Sequence, residues 1–498
     1  MPQTLEAALQ LHRDGLAKLG AHDPKTLETT GSLIGDKLDG RFHSWHDATD
    51  DRFDQILGPR TEHTIRHGDR EFVVNASGNV RELVGSLTKR QRTQDFISSG
   101  DFATQPQYCT LVGPSRLTDG RAVVDVRVAP PGGDEETVSL DAASGLIDMI
   151  GYVEGDGIST ITYSDYRVFH GALVAFRETD SNGDVEYDFT LAVQDVVVDR
   201  AIPASVFTVP PTAMVSNDAP VTVSLVERGG HFYAPIELHG HPYSFLVDTG
   251  SQAIVVDSSV AAANTLVPEG TLEVAGAKRV GAVGVAPLES ITIGGATLPV
   301  GLVSIVDLSS STNGAFPIDG VLGYPFFAAA DVKIDFNRLT MTFGRPGTLK
   351  QDGAKLALDT DRQLPETGAK INGVATNVLI DTGNSVDLLV FNPFLRAHPG
   401  AVPYVGSSQV RNYGVGGSMA AVGANVDQLD LGPYSMYNRR ANLMLTSSGA
   451  FADRIDGGNV GLGTLRNFVI TFDLFDRAMY LQRASSFDDG RYRPHFDT

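Results

Sequence analysis

Apolar residues recur along this chain at two different periods. Near the start, Leu5, Leu9, Leu16 and Leu19 keep the three-to-four residue spacing of one helix face, and "VRELVGSLTKRQRTQDFI" from Val80 predicts a second helical stretch. From about residue 40 to 215 the period shortens to two. "EFVVNASG", "RAVVDVRVA" and "YDFTLAVQDVVVD" alternate apolar with polar positions between Gly, Asp, Asn and Pro clusters, which predicts antiparallel sheet. "ASVFTVPPTAMVSNDAPVTV" then interrupts the alternation with Pro210, Pro211 and Pro220, and a domain boundary is expected near 210–220.

Beyond Val221 the pattern repeats. "ELHGHPYSFLVDTG" and "KINGVATNVLIDTG" align without a gap, each with a glycine (Gly240, Gly373) eight residues before an aspartate (Asp248, Asp381). That spacing predicts a tight hairpin turn whose second strand ends at the carboxylate. "VLGYPFFAAADVKID" and "NVGLGTLRNFVITFD" also align without a gap, so Gly323 and Gly461 each lie 12 residues before an aspartate. The two Asp-Thr-Gly copies are 133 residues apart and these later glycines 138 apart. Such a constant offset marks a duplicated unit.

Bulk numbers narrow the classes. At 498 residues the chain exceeds one hydrophobic core, and 42% hydrophobic with 20% charged residues is ordinary for globular domains. No run approaches the ~18 apolar residues of a membrane span. With 39 basic and 60 acidic residues the formal charge is −21, which disfavours nucleic acid and anionic lipid headgroups as partners. Cys109 is the only cysteine, so no intrachain disulfide or thiolate zinc site can form, and the compartment stays open. The start has no basic segment followed by an apolar one. Export to the periplasm or medium is expected if a signal was removed, and a cytoplasmic location otherwise. His43, His46 and Asp47 in "FHSWHDATDD" do not make a metal site, because strand alternation sends the two histidines to opposite faces. "DSNGD" at 180–184 reads as a hairpin turn at Asn182-Gly183, lacking the later Glu of a calcium loop.

Two carboxylates held about 3 Å apart cannot both ionise, so they share a proton; one then acts as base toward water and the other as acid toward a carbonyl oxygen. Each copy can supply one member. Phe245-Leu246-Val247 and Val378-Leu379-Ile380 deliver the aspartates from buried strands, Thr249 and Thr382 offer hydroxyls to brace the loops, and Gly250 and Gly383 admit close backbone approach.

With these motifs, residues 220–485 resemble the pepsin and retropepsin type of aspartic peptidase, with both lobes fused in one chain. The match rests on the two Asp-Thr-Gly turns, on Val321-Leu322-Gly323 and Asn459-Val460-Gly461, and on the "KIDF" and "TFDL" strands. Modules of about 130 residues are nearer to bacterial retropepsin-like units than to pepsin's larger lobes, and pepsin's disulfides are missing. The resemblance implies catalytic Asp248 and Asp381, with Thr249 and Thr382 as braces and with Ser251 and Asn384 orienting the carboxylates. Asn384 departs from the family's Ser or Thr, although its amide can still donate. The resemblance also implies a glycine-rich flap. Tyr413, Gly414, Val415, Gly416 and Gly417 in "YGVGGSM" fit one, and "VAGAKRVGAVG" at 274–284 is the weaker first-module counterpart.

Residues 25–211 are similar to the closing half of the lipoprotein-carrier-like (LolA-like) open β-barrel, through "DYR…G" and the "FTVP" ending. That likeness implies an apolar concavity for a lipid, an acylated peptide or a hydrophobic tail, or else a scaffold or inhibitory pro-segment.

The expected fold is therefore mostly β: a helix-bearing open antiparallel half-barrel over 1–215, then a bilobal acid-protease-like β-barrel pair over 220–348 and 355–485. The expected function is an aspartic endopeptidase acting on peptide or protein, without cofactor, metal or covalent intermediate, and complete as a monomer. The competing expectation is a non-catalytic binder of hydrophobic ligands or extended peptides.

Overall fold

The computed structural model describes residues 2–491 apart from 23, 36–37, 155–156, 184–187, 276–278, 313–315, 405–408, 415–416 and 447–448. At 38, 86, 272–275, 279–282, 310, 312 and 413 only the backbone is described. The chain is mostly β and divides into two compact units: Met1–Val74 with Glu82–Pro210, and Asn75–Arg81 with Pro211–Thr498.

Among the described residues, thirteen strands make one sheet from two antiparallel meanders, nearly all of it in the first unit. One runs outward from Leu27–Gly35 to Val80–Leu83, and the other returns from Cys109–Arg116 to Phe189–Val198. They join where Leu27–Gly35 pairs with Phe189–Val198, Leu27 opposite Val198. The helix Leu5–Leu19 starts at Thr4, whose side chain accepts from the Ala7 amide, and buries Ala8, Leu9, His12 and Gly15. Gly15 is required there, since a Cβ would lie 2.1 Å from the Ser144 carbonyl oxygen. The core beneath joins Leu9, Ile97 and Phe102 to Val124, Val126, Val138, Leu140 and Ile150. The helix expected from Val80 begins later, at Ser86–Ser98, because Val80–Leu83 joins the sheet first and Gly85 ends that strand segment. His43 and His46 fall on one strand, Leu38–His46, and bond separate acids, Glu28 and Asp51. The last residue of "DSNGD" lies outside the described residues.

The second unit shows the duplication element by element. His231–Leu238 and His241–Val247 form the first hairpin, Glu366–Ile371 and Val374–Ile380 the second. Their turns, His239-Gly240 and Asn372-Gly373, have positive φ at both residues, the two-residue form that suits a twisted hairpin. After each Asp-Thr-Gly come a short strand and helix (Val255–Asp257 and Ser258–Ala263; Leu388–Phe391 and Asn392–Ala397). A long hairpin and a third strand follow: Gly270–Ala275, Arg279–Ile293 and Ala296–Val306 in the first module, Gln409–Gly414, Gly417–Leu431 and Tyr434–Met444 in the second. Gly320–Leu322 and Asp456–Val460 then lie parallel to the strands that end at the aspartates.

Each module closes with two strands, and these combine in a six-stranded sheet whose central pair is Asp331–Asp335 with Phe468–Asp473. Ile334 faces Ile470 there, both fully buried, a burial worth about 1.5–3 kcal/mol per side chain. One continuous core, including Phe326, Phe327, Phe343 and Phe472, runs through both modules. The carboxylate-bearing turns therefore start from a shared rigid base.

Candidate active site

Each aspartate leaves the end of a buried strand. Phe245, Val247, Val378 and Ile380 are at most 1% exposed, whereas Asp248 and Asp381 are half-buried. The later glycine elements flank them: Leu246 pairs with Val321, and Leu379 with Asn459. The Asp248 amide donates to Leu322 O (3.2 Å) and the Asp381 amide to Val460 O (3.0 Å). A Cβ on Gly323 would fall 2.2 Å from Ala253 O, and one on Gly461 2.4 Å from Val386 O. Only glycine lets these elements pass so close to the turns.

The two turns interlock. Thr249 Oγ1 donates to Ile380 O (2.6 Å) and accepts from the Thr382 amide (3.0 Å). Thr382 Oγ1 reciprocates, donating to Val247 O (2.9 Å) and accepting from the Thr249 amide (3.1 Å). Both threonines are 1% exposed, so four bonds are held away from water. Gly250 and Gly383 each donate to their own module's aspartate, at 2.8 and 2.7 Å. They also face the other one: a Cβ on Gly250 would lie 2.5 Å from Asp381 Cγ, and one on Gly383 2.2 Å from Asp248 Cγ.

The carboxyl groups of Asp248 and Asp381 face each other across the two turns, each against the other module's glycine. Burial, and then the charge of Asp381, hold the Asp248 carboxyl well above its ordinary range, against the opposing pull of the Gly250 and Gly383 amides. The pair thus favours holding one proton between its two carboxyls. A base and an acid side by side can deprotonate a water and protonate an oxygen in the same event.

The residues expected to orient the carboxylates have other partners. Ser251 Oγ donates to Ala253 O (2.9 Å), within its own turn. Asn384 Nδ2 donates to Asn459 Oδ1 (2.9 Å), and it is Asn459 Nδ2 that reaches Asp381 Oδ2 (2.5 Å). Asn459 intervenes because the parallel register sets it beside Leu379, next to the strand end. The gapless alignment carried a signal for it, an amide where the first module has Val321.

Sequence reasoning missed two further neighbours. His231, half-buried at the hairpin start, lies beside the backbone of Gly229 and Gly383 and faces Asp381; burial lowers its pKa. Gln252 Nε2 donates to Arg362 O (2.7 Å), tying the first turn to the start of the second module. There Arg362 meets Glu366 (2.8 Å), Asp453 (2.7 Å) and Asp456 (2.5 Å). Burial pushes Glu366 up to about 8 and Asp456 to about 7 despite the guanidinium.

The flap segment forms a hairpin in which Tyr413 pairs with Ser418 and Gly414 with Gly417. Its tip, Val415 and Gly416, and the side chain of Tyr413 lie outside the described residues. The hairpin packs against Ser309–Thr312 of the first module. The first-module counterpart, Gly270–Ala275 with Arg279–Ile293, is also a hairpin, its tip at 276–278 likewise outside the described residues.

Residues 234–326, which contain Asp248 and Val321-Leu322-Gly323, match the family described as Aspartyl protease. No curated protein matches the chain. Among solved structures it is similar to a DUF1329 family protein from Desulfovibrio piger, with 13% identity over 42% of this chain and 98% of that one and a TM-score of 0.31. It is also similar to a LolA superfamily protein from Nitrosomonas europaea, with 12% identity over 40% of this chain and 97% of that one and a TM-score of 0.29.

Proposed function

We propose that this protein is an aspartic endopeptidase whose two catalytic carboxyls, Asp248 and Asp381, come one from each repeat of the same chain. The observation that carries this reading is that the two carboxyls face each other above the reciprocal Thr249–Thr382 lock, each against the other repeat's glycine. The Aspartyl protease match over 234–326 supports the reaction class. A water between the carboxyls loses a proton to Asp381 as its oxygen attacks the peptide carbonyl carbon, while Asp248 gives its proton to the carbonyl oxygen. Proton transfer to the amide nitrogen then lets the C–N bond break. Gly250 and Gly383 keep the carboxyls close, and the hairpin through Tyr413–Gly417 acts as the closing flap over an extended peptide. The site is complete within one chain, so a monomer suffices.

Activity requires one proton in the pair. The rate should fall in acid, when both carboxyls are protonated, and again as pH rises far enough to ionise Asp248, giving a bell-shaped profile. Asp248→Asn and Asp381→Asn should each abolish cleavage of a mixed peptide library from pH 3 to 8, with circular dichroism and melting temperature close to wild type. Undiminished cleavage by either variant would reject the mechanism, and intact bound peptides with the wild type would favour a binding protein.

A further inference from the structure

The two repeats support their aspartates differently. In the second, Asn459 is 2% exposed and lies between Asp381 and Asn384. Its amide orientation is fixed by a chain of obligate donors. The Val386 N–H can only donate, and it donates to Asn384 Oδ1 at 3.0 Å. Asn384 must therefore turn Nδ2 toward Asn459 Oδ1, and Asn459 must turn Nδ2 toward Asp381 Oδ2. A donor, not an acceptor, is forced onto this oxygen. In the first repeat the equivalent residue is Val321, and Ser251 bonds Ala253 O. The Asp248 carboxyl meets the backbone N–H groups of Gly250 and Gly383.

We infer that Asn459, locked by Asn384, is a positioning residue that holds the negative charge of the pair on Asp381 and so makes Asp381 the base and Asp248 the acid. A hydrogen bond donated to the ionised form favours that form. The inference rests on the endopeptidase reading and deepens it. Both departures from the first repeat, Asn for Ser after Asp-Thr-Gly and Asn for Val before the glycine, then have one cause: each amide needs the other. Other titratable groups face Asp381 from the first repeat. Asp248 faces it across the turns, and His231 faces it from the first hairpin, its pKa lowered by burial.

The test is Asn459→Val, the first repeat's residue, read by carboxyl carbon-13 titration of aspartate-labelled protein, with Asp381→Asn identifying the resonance, and by the pH profile of kcat/KM. Loss of the donor should raise the Asp381 titration and the acid limb of the profile by about one pH unit, moving the alkaline limb less. Asn459→Asp, which keeps the shape, should shift both readings the same way, because a second carboxylate would face Asp381. Asp381 titrating at the wild-type pH in both variants, or kcat/KM falling equally at every pH, would overturn the assignment. If the wild type cleaves no peptide, the endopeptidase reading falls, while the carbon-13 titration still decides whether Asn459 sets the charge on Asp381.

Discussion

Two buried polar side chains, each on a strand, show opposite ways of surviving without water. Asn459 has both amide ends occupied, whereas Glu136, 1% exposed in the first unit, has no hydrogen-bond partner for either carboxylate oxygen among the described residues. Burial pushes the Glu136 carboxyl up to about 8, so it is neutral in the fold at pH 7 and ionised once unfolded. The unfolded chain binds fewer protons over this range, so the contribution to stability is present below pH ~4.5 and is lost as pH rises through about 8. Glu136→Gln removes that dependence and should gain on the order of 3 kcal/mol at pH 8 relative to pH 4, seen as a higher melting temperature only on the alkaline side. At this scale the sequence reveals residues that repeat: Asp248 and Asp381 stand out by register alone. Asn459 and His231 do not, because their partners depend on pairing between strands far apart in the chain, such as Leu379 with Asn459.

Glycines in the repeated elements solve two unrelated problems. Gly373 has φ +84° and open space around its missing Cβ, so it serves the turn alone. Gly461 has an ordinary φ of −105°, but a Cβ there would meet Val386 O and the Asn384 side chain at 2.4 and 2.6 Å. Gly373→Ala should therefore cost about 1–2 kcal/mol in urea unfolding, from left-handed backbone strain, and leave peptide cleavage largely intact. Gly461→Ala should cost about 3 kcal/mol and remove most cleavage, because the Asp-Thr-Gly loop must shift to admit the methyl. Both glycines were legible from spacing. Their different duties were not, since a hairpin turn is encoded locally, whereas close approach is a property of parallel strands joined by 75 residues of intervening chain. The helix predicted from Val80 shows the same limit: the segment's apolar spacing suits either period, and its neighbours in the sheet decide for strand up to Leu83.

For the whole molecule, duplication was readable because two modules keep the same order and length, and the pairing of Ile334 with Ile470 follows from two copies of one strand meeting across a shared axis. Nothing local marks Asn75–Arg81 as belonging with residues beyond Pro211. Yet Asn75 Nδ2 donates to Gln363 Oε1 (3.0 Å), the Val80 amide to Thr212 Oγ1 (2.9 Å), the Ala213 amide to Gly78 O (2.9 Å), and Arg81 Nε to Asp361 O (3.3 Å). Gly301 lies so close to Ala76 that a Cβ would sit 2.3 Å from its carbonyl oxygen. The chain is thus threaded rather than strung. An engineered cut between Pro210 and Pro211 should free no N-terminal fragment: both pieces should co-elute in gel filtration until denaturant is added, as a knot of seven residues keeps the severed halves tethered.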